Sequence, residues 1–437
     1  MIFTSTRDAG LAATFSRALL DGIAPDGGLY VPQSLPAIGT SELNGSAGLD
    51  EIAPPLLAPF LEGDALASAL PAIAAEAFSF PAPLRPAQTG AERLSMLELH
   101  HGPTAAFKDF GARFLAACLA RAERRAPRPL TILVATSGDT GGAVAAAFHR
   151  RPGFRVVLMY PAGRVSSVQE RQLTCWDDNV TSLAVQGSFD DCQRIAKHSF
   201  ADASLRQALA LTSANSINIG RLLPQLALFA AAALRIRQAE GNRANFVIPS
   251  GNLGLATACV WAREMGLPIG AIVLAHNANR TVPDYVANGQ WQPRAGIATI
   301  ASAMDVGDPS NMERLLALYR DHAALAARLR AVSIDDATIR ESIRQEFRSA
   351  GLVLCPHTAA GAAAYRALPK SDRRQGHWVV VATAHPAKFP EIVEPLVGRQ
   401  IDAPPALARL LDRPGVRELI GAEFQAVSRR LLLAGAP

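Results

Sequence analysis

The chain has 437 residues, 49% of them apolar and 19% charged, with a net charge of +5. This length exceeds one comfortable core and predicts two or three domains. The small positive balance, the absence of a long Lys/Arg run and an aromatic content of 6% disfavour nucleic-acid binding and suit an anionic small-molecule substrate.

In chain order, the N-terminus carries Asp8 early and has no apolar leader core, so no signal peptide is expected. Residues 1–90 are rich in Pro, Ala and Leu, with helical patterns at Leu11–Leu20 and Asp64–Leu70. They read as a mostly helical N-terminal unit ending near Pro81, Pro83 and Pro86. Strand and helix signals then alternate. Thr131–Ala135 runs into a small-residue loop and an Ala-rich helix, Arg155–Tyr160 is followed by a helix over Ser167–Leu173, and Val180–Val185 is the next strand. Phe246–Ile248 leads into Ser250-Gly251-Asn252-Leu253-Gly254 and another helix, Ile269–Ala275 is a strand, and Trp378–Ala382 ends at Thr383. The longest apolar stretch, Leu226–Leu234, is too short for a membrane span and reads as a core helix. Repeated strand, small-residue loop and helix predict an α/β protein with parallel sheets and sites at the carboxyl ends of the strands. Residues 280–345 are polar and helical, lack strand signals, and could cap such a site. Cys118, Cys175, Cys192, Cys259 and Cys355 form no CxxC pair, which predicts reduced thiols in a cytoplasmic protein; no metal site is expected.

Lys108 carries the chemistry. Nearly all 43 basic residues are arginine, so a lysine in His100-His101-Gly102-Pro103-Thr104-Ala105-Ala106-Phe107-Lys108-Asp109 is conspicuous. Phe110, Phe114, Leu115, Cys118 and Leu119 follow at helical spacing, and burial at the start of that helix would lower the amine pKa. A neutral amine is what an imine-forming lysine needs. Alone, an apolar-flanked lysine is more often a snorkelling side chain.

The loop 250–254 follows a strand and opens a helix, where glycines let the backbone approach an anion and the helix N-terminus attracts it. A plain tight turn is the alternative. Thr136-Ser137-Gly138-Asp139-Thr140 is a second strand-to-helix loop, without the G-x-G-x-x-G of a dinucleotide site or the Gly-Lys of a P-loop. Thr383 closes an apolar strand and could equally cap the next turn. Lys388, Arg221, Asn218, Asn215 and Ser167 could together form a second anion site.

Taken together, these segments resemble the threonine synthases, pyridoxal-phosphate enzymes of the β-family (fold type II). His101–Gly111 resembles their lysine loop, and Ala135–Gly142, Pro249–Gly254 and Thr383–Phe389 agree in order and spacing. So do Ser5-Thr6-Arg7 with Asp26–Pro32, Asn215–Asn218 with Gly220–Gln225, and Asp305-Val306-Gly307 with Pro309-Ser310-Asn311. Leu255 and Ala256 depart from the family's usual residues after the glycine loop, which puts a side-chain contact from position 255 in doubt.

The resemblance implies two parallel-sheet α/β domains flanking the cofactor, a larger one over 91–125 with 216–437 and a smaller one over 126–215. It implies pyridoxal 5'-phosphate as cofactor, with Lys108 as the imine lysine and Phe107, Asp139, Ser250, Gly251, Asn252, Leu253, Gly254 and Thr383 around it. Asp139 stands where many relatives place an Asn, so its contact is open. Thr136, Ser137, Gly138 and Thr140, with Ser167, Asn215, Asn218, Arg221 and Lys388, are the implied substrate groups. The implied activity is conversion of O-phospho-L-homoserine and water to L-threonine and phosphate, by a monomer or homodimer without nucleic-acid or membrane partners. The alternatives are a related phospho-lyase that releases 2-oxobutyrate and an idle cofactor-binding protein; an intact Lys108 argues against the latter.

Overall fold

The computed structural model describes residues 1–40, 43–88, 92–123 and 128–435. Two sheets dominate. The larger has six strands in the order Arg330–Ser333, Ile269–His276, Ala244–Pro249, His377–Ala382, Arg93–Glu98, Leu84–Gln88. All neighbours are parallel except the last pair. The smaller has five parallel strands in the order Glu418–Gly421, Val180–Gln186, Phe154–Pro161, Leu130–Ala135, Ala210–Ser213. Val156, Val157, Leu158 and Met159, like Val247, Ile248, Val379 and Val380 in the other sheet, are buried. Continuous apolar runs of this kind are what a sheet covered on both faces requires.

Helices cover these sheets. Lys108–Arg121 buries Phe110, Phe114, Leu115, Cys118 and Leu119. Ile219–Glu240 is apolar and long enough to cross a membrane, yet 94% of its apolar window is buried in protein; it is a core helix. All five cysteines are free and buried.

Three features differ from the sequence-based division. The N-terminal unit contains a three-stranded antiparallel sheet, with Ala12–Ala13, Phe3–Ser5 and Tyr30–Pro32 side by side, as well as helices. Strand Arg330–Ser333 lies inside the segment 280–345; at only four residues, half-buried on a sheet edge, it has little apolar signal. The last strand, Glu418–Gly421, pairs with Val180–Gln186 of the smaller sheet, so the chain's end returns to that sheet rather than staying with 216–437. The unit boundaries at 90/91 and 125/126 fall outside the described residues.

Candidate active site

Both sheets aim the carboxyl ends of their strands at one cleft of about 940 Å³, open solvent at its mouth included. Lys108, Phe107, Asp139, Thr383 and all of 250–254 line it, as do Thr136, Ser137, Thr140, Asn215 and Arg221.

The lysine loop is a taut turn. Ala105 sits in the left-handed region at φ 55°, and Phe107 N–H donates to the Thr383 carbonyl at 2.9 Å while His385 N–H donates to the Ala105 carbonyl at 3.0 Å. Ala106 bridges Ala384 antiparallel. Lys108 is therefore fixed to the end of strand His377–Ala382, beside Thr383. Its side chain is 15% exposed, and Nζ lies 3.9 Å from Asp139 Oδ2. Burial pushes the Lys108 amine down to about 8, Asp139 pulls it back up, and Lys388 and Arg221 add to the lowering.

Asp139 opens helix Asp139–Phe148 and is buried. Its Oδ1 pairs with Lys388 Nζ at 3.0 Å and accepts from Gln169 Nε2 at 2.9 Å. Burial opposes its ionisation, but Lys388 and then Lys108 hold the carboxyl well below the usual carboxylate range. Its contact, open from sequence, is thus with the two lysines. Gly138, before it, has φ 127°, and a Cβ there would stand 2.6 Å from the Gln169 side chain. Thr136 Oγ1 accepts from Gly138 N–H at 3.0 Å and Gly141 N–H at 2.9 Å, which fixes this loop from within.

In the glycine loop, Leu253 takes the left-handed φ of 60° and precedes helix Gly254–Glu264. The loop is held from outside: Asn252 Oδ1 accepts from Ser310 N–H at 2.6 Å, and Asn311 Nδ2 donates to the Asn252 carbonyl at 2.8 Å. Fully buried Arg314 donates to Asn311 Oδ1, to the Ser216 and Ile217 carbonyls and to the Tyr30 carbonyl. A Cβ on Gly251 would meet Met304 Cα at 2.8 Å and the Ala303 carbonyl at 2.9 Å, so backbone packing demands this glycine.

Four expected substrate groups do not line the cleft. Lys388 is fully buried, and besides Asp139 it bonds the Thr104 carbonyl at 2.8 Å; a cation neutralised inside the protein is no free anion receptor. Asn218 caps Ile219–Leu222 and donates to the Leu19 and Ser213 carbonyls at 2.9 Å each. Ser167 lies at an exposed contact with Glu391. Gly138 faces Gln169.

Two further wall residues stand outside the expected site groups: His357, with no sequence signal, and Gln225, which only closes the family-like segment Gly220–Gln225. Buried His357 accepts from Ala303 N–H at 3.0 Å through Nε2, so its proton is on Nδ1; burial pushes its pKa down to about 4. Gln225 donates to the Arg221 carbonyl at 2.7 Å, but its Oε1, like Arg221 Nε, is buried with no hydrogen-bond partner among the described residues. Arg221 Nη1 bonds the Ala214 carbonyl, and burial lowers its pKa to about 10. A neutralisable amine and a helix N-terminus behind a glycine loop together fit an aldehyde-bearing phosphate cofactor.

The class follows from the chain's own match to the family of pyridoxal-phosphate-dependent enzymes over residues 76–384. The same fold recurs at 15% identity in a pyridoxal 5'-phosphate-dependent aspartate racemase, with a TM-score of 0.52 over 71% of this chain and 92% of that one. The flanks narrow it: residues 2–78 match a threonine synthase N terminus and 358–429 a threonine synthase C-terminal region. Threonine synthase of Escherichia coli K12 is 38% identical over 98% of both chains, and that of Serratia marcescens 38% identical over 99% of this chain and 98% of its own. The crystal structure of the Escherichia coli enzyme superposes with a TM-score of 0.92 at 35% identity, covering 99% of this chain and all of that one. That of the pyridoxal-phosphate-bound enzyme from Brucella melitensis superposes at 0.90 and 33%, covering 100% of both. The chain belongs to the threonine synthase family of pyridoxal-phosphate-dependent lyases.

Proposed function

We propose that this chain converts O-phospho-L-homoserine and water to L-threonine and phosphate. The observation that supports it best is Lys108, whose amine is brought down to about 8 at the meeting point of both sheets' loops. When bound, the cofactor supplies an electron sink for charge developing at the substrate's α-carbon. Lys108 would hold it, the 250–254 backbone and helix N-terminus would take its phosphate, and Thr383 would face its ring.

The remaining work falls to the chain's own groups. Near neutral pH, Lys108 can both accept and return a proton, as successive transfers at Cα, Cβ and Cγ require. Asp139 stabilises the ammonium form from 3.9 Å without taking the proton, because Lys388 and Gln169 keep it ionised. We assign the substrate carboxylate to the cleft-lining Thr136, Ser137 and Thr140 of the second loop. Arg221, which lines the cleft, is the cation we assign to the substrate phosphate, together with Asn215.

Product analysis tests the reading. Purified protein with pyridoxal phosphate and O-phosphohomoserine should release phosphate and threonine in equal amounts. Release of 2-oxobutyrate in place of threonine would show an enzyme that stops at elimination, and no phosphate release would overturn the assignment.

A further inference from the structure

A second hollow, about 1540 Å³ with the open solvent at its mouth included, shares no lining residue with the cleft. It is lined by Glu98, His100, His101 and His385, among others. Glu98, His100 and His101 each offer one ligand atom, and these atoms all lie within 4.8 Å of one another. Glu98 Oε2 and His101 Nε2 are 2.7 Å apart. The His100 ring stacks on His101 at 4.9 Å and meets the edge of His385 at 5.3 Å. His100 Nδ1 is buried with no hydrogen-bond partner among the described residues, a costly state for a polar atom. His385 Nδ1 accepts from Ala387 N–H at 3.2 Å, which leaves Nε2 as its available ligand atom.

We propose that Glu98, His100 and His101 bind a divalent ion of the zinc class, with His385 closing the set. Mixed imidazole and carboxylate donors suit Zn²⁺, Co²⁺ or Ni²⁺ rather than Mg²⁺ or Ca²⁺, and four protein ligands closing a tetrahedron are what a non-catalytic zinc site uses. Small side-chain rotations would draw the donor atoms to tetrahedral spacing, the ion replacing the Glu98–His101 hydrogen bond. The site would be structural or regulatory, since it lies outside the cleft. It would join the start of the lysine loop to the Thr383–Lys388 segment, the two stretches that together fix Lys108.

The test is isothermal titration of the holoenzyme with Zn²⁺, and with Co²⁺ followed by its visible absorbance. One equivalent should bind, and the ion should raise the thermal midpoint of the holoenzyme. His100→Phe and Glu98→Gln should each weaken binding by at least about tenfold, the lower bound expected when a ligand rather than its support is removed. His100→Phe should keep its cofactor absorbance and turnover, which separates loss of the ion from loss of the fold or the activity. Failure of the wild-type protein to bind, or stoichiometric binding that survives both substitutions, would overturn the site.

Discussion

At the level of single residues, the site is governed by three charges in a buried row: Lys108, Asp139 and Lys388. Lys388 is completely enclosed, and its partner Asp139 sits 3.0 Å away. Removing one member of such a pair leaves the other charge uncompensated, at a cost of about 3–5 kcal/mol. Lys388→Met should therefore lower the unfolding free energy measured in urea by that order, and adding Asp139→Asn should recover most of it. A single variant as stable as wild type would show that the pair does not hold the loop. Lys108→Ala should abolish phosphate release from O-phosphohomoserine while the fold survives; near wild-type turnover would remove Lys108 from its role. Lys108 also predicts a pH effect in the cofactor-free protein. Its folded pKa, about 8, lies below the ordinary 10.5, so the folded state sheds this proton first as pH rises. Below pH 8 the full cost of the buried ammonium is present, and between 8 and 10.5 stability rises with pH. Lys108→Met should accordingly be the more stable protein at pH 7, by at most about 3 kcal/mol, and the gap should shrink to under about 1 kcal/mol by pH 10 and vanish above 10.5. A gap independent of pH in urea titrations would mean that the amine is well solvated. Lys108 is legible in the sequence only together with its neighbours: apolar flanks alone suit a snorkelling side chain, and the family-like segments in matching order are what single it out. The destination of Lys388 is not legible, since nothing local to Pro386-Ala387-Lys388 says that a carboxylate from another sheet's loop awaits it.

At the scale of elements, the strands that end in site loops are legible: β-branched runs over Thr131–Ala135 and Trp378–Ala382 stop at small polar residues, and the structure has strands Leu130–Ala135 and His377–Ala382 there. Edge strands such as Arg330–Ser333 are not, because half-buried short strands need no apolar run. The glycine loop shows a finer limit. From sequence, Gly251 and Gly254 are equivalent candidates for a close approach to phosphate. In the structure a Cβ on Gly251 would meet backbone at 2.8 Å, whereas on Gly254 its nearest neighbours would be side-chain atoms, Ser216 Cβ at 3.3 Å, Asn311 Nδ2 at 3.8 Å and Ser216 Oγ at 3.9 Å. Backbone cannot rotate aside as a side chain can. Gly251→Ala should thus cost about 1–3 kcal/mol in the cofactor-free protein, as overpacking does, and Gly254→Ala less. Urea unfolding of both variants decides it; equal losses would contradict the packing argument.

For the whole molecule, the cleft exists only while both sheets hold their loops together, and the smaller sheet depends on the chain's far end. Glu418–Gly421 covers the edge of Val180–Gln186 in parallel register, Glu418 opposite Leu183 and Gly421 opposite Gln186. The following helix, Phe424–Gly435, buries Val427 and Leu431 in a cluster with Leu133, Ala135, Val157, Leu183, Cys192 and Ile195. Phe424 stacks on His198 at 3.8 Å, and Arg430 pairs with Glu418 at 2.6 Å. This core includes Ala135, the residue from which the Thr136–Asp139 loop departs, so damage to it should reach Asp139 without touching the larger sheet. Leu431→Ala removes a side chain that is 1% exposed and should cost about 2–5 kcal/mol. Hydrogen exchange should show the loss concentrated in Leu130–Ala135, Phe154–Pro161 and Val180–Gln186, with Ala244–Pro249 and His377–Ala382 still protected. Uniform loss of protection across both sheets would instead mean that the molecule unfolds as one unit, and that the terminal helix supports the cleft no more specifically than any other part of the core.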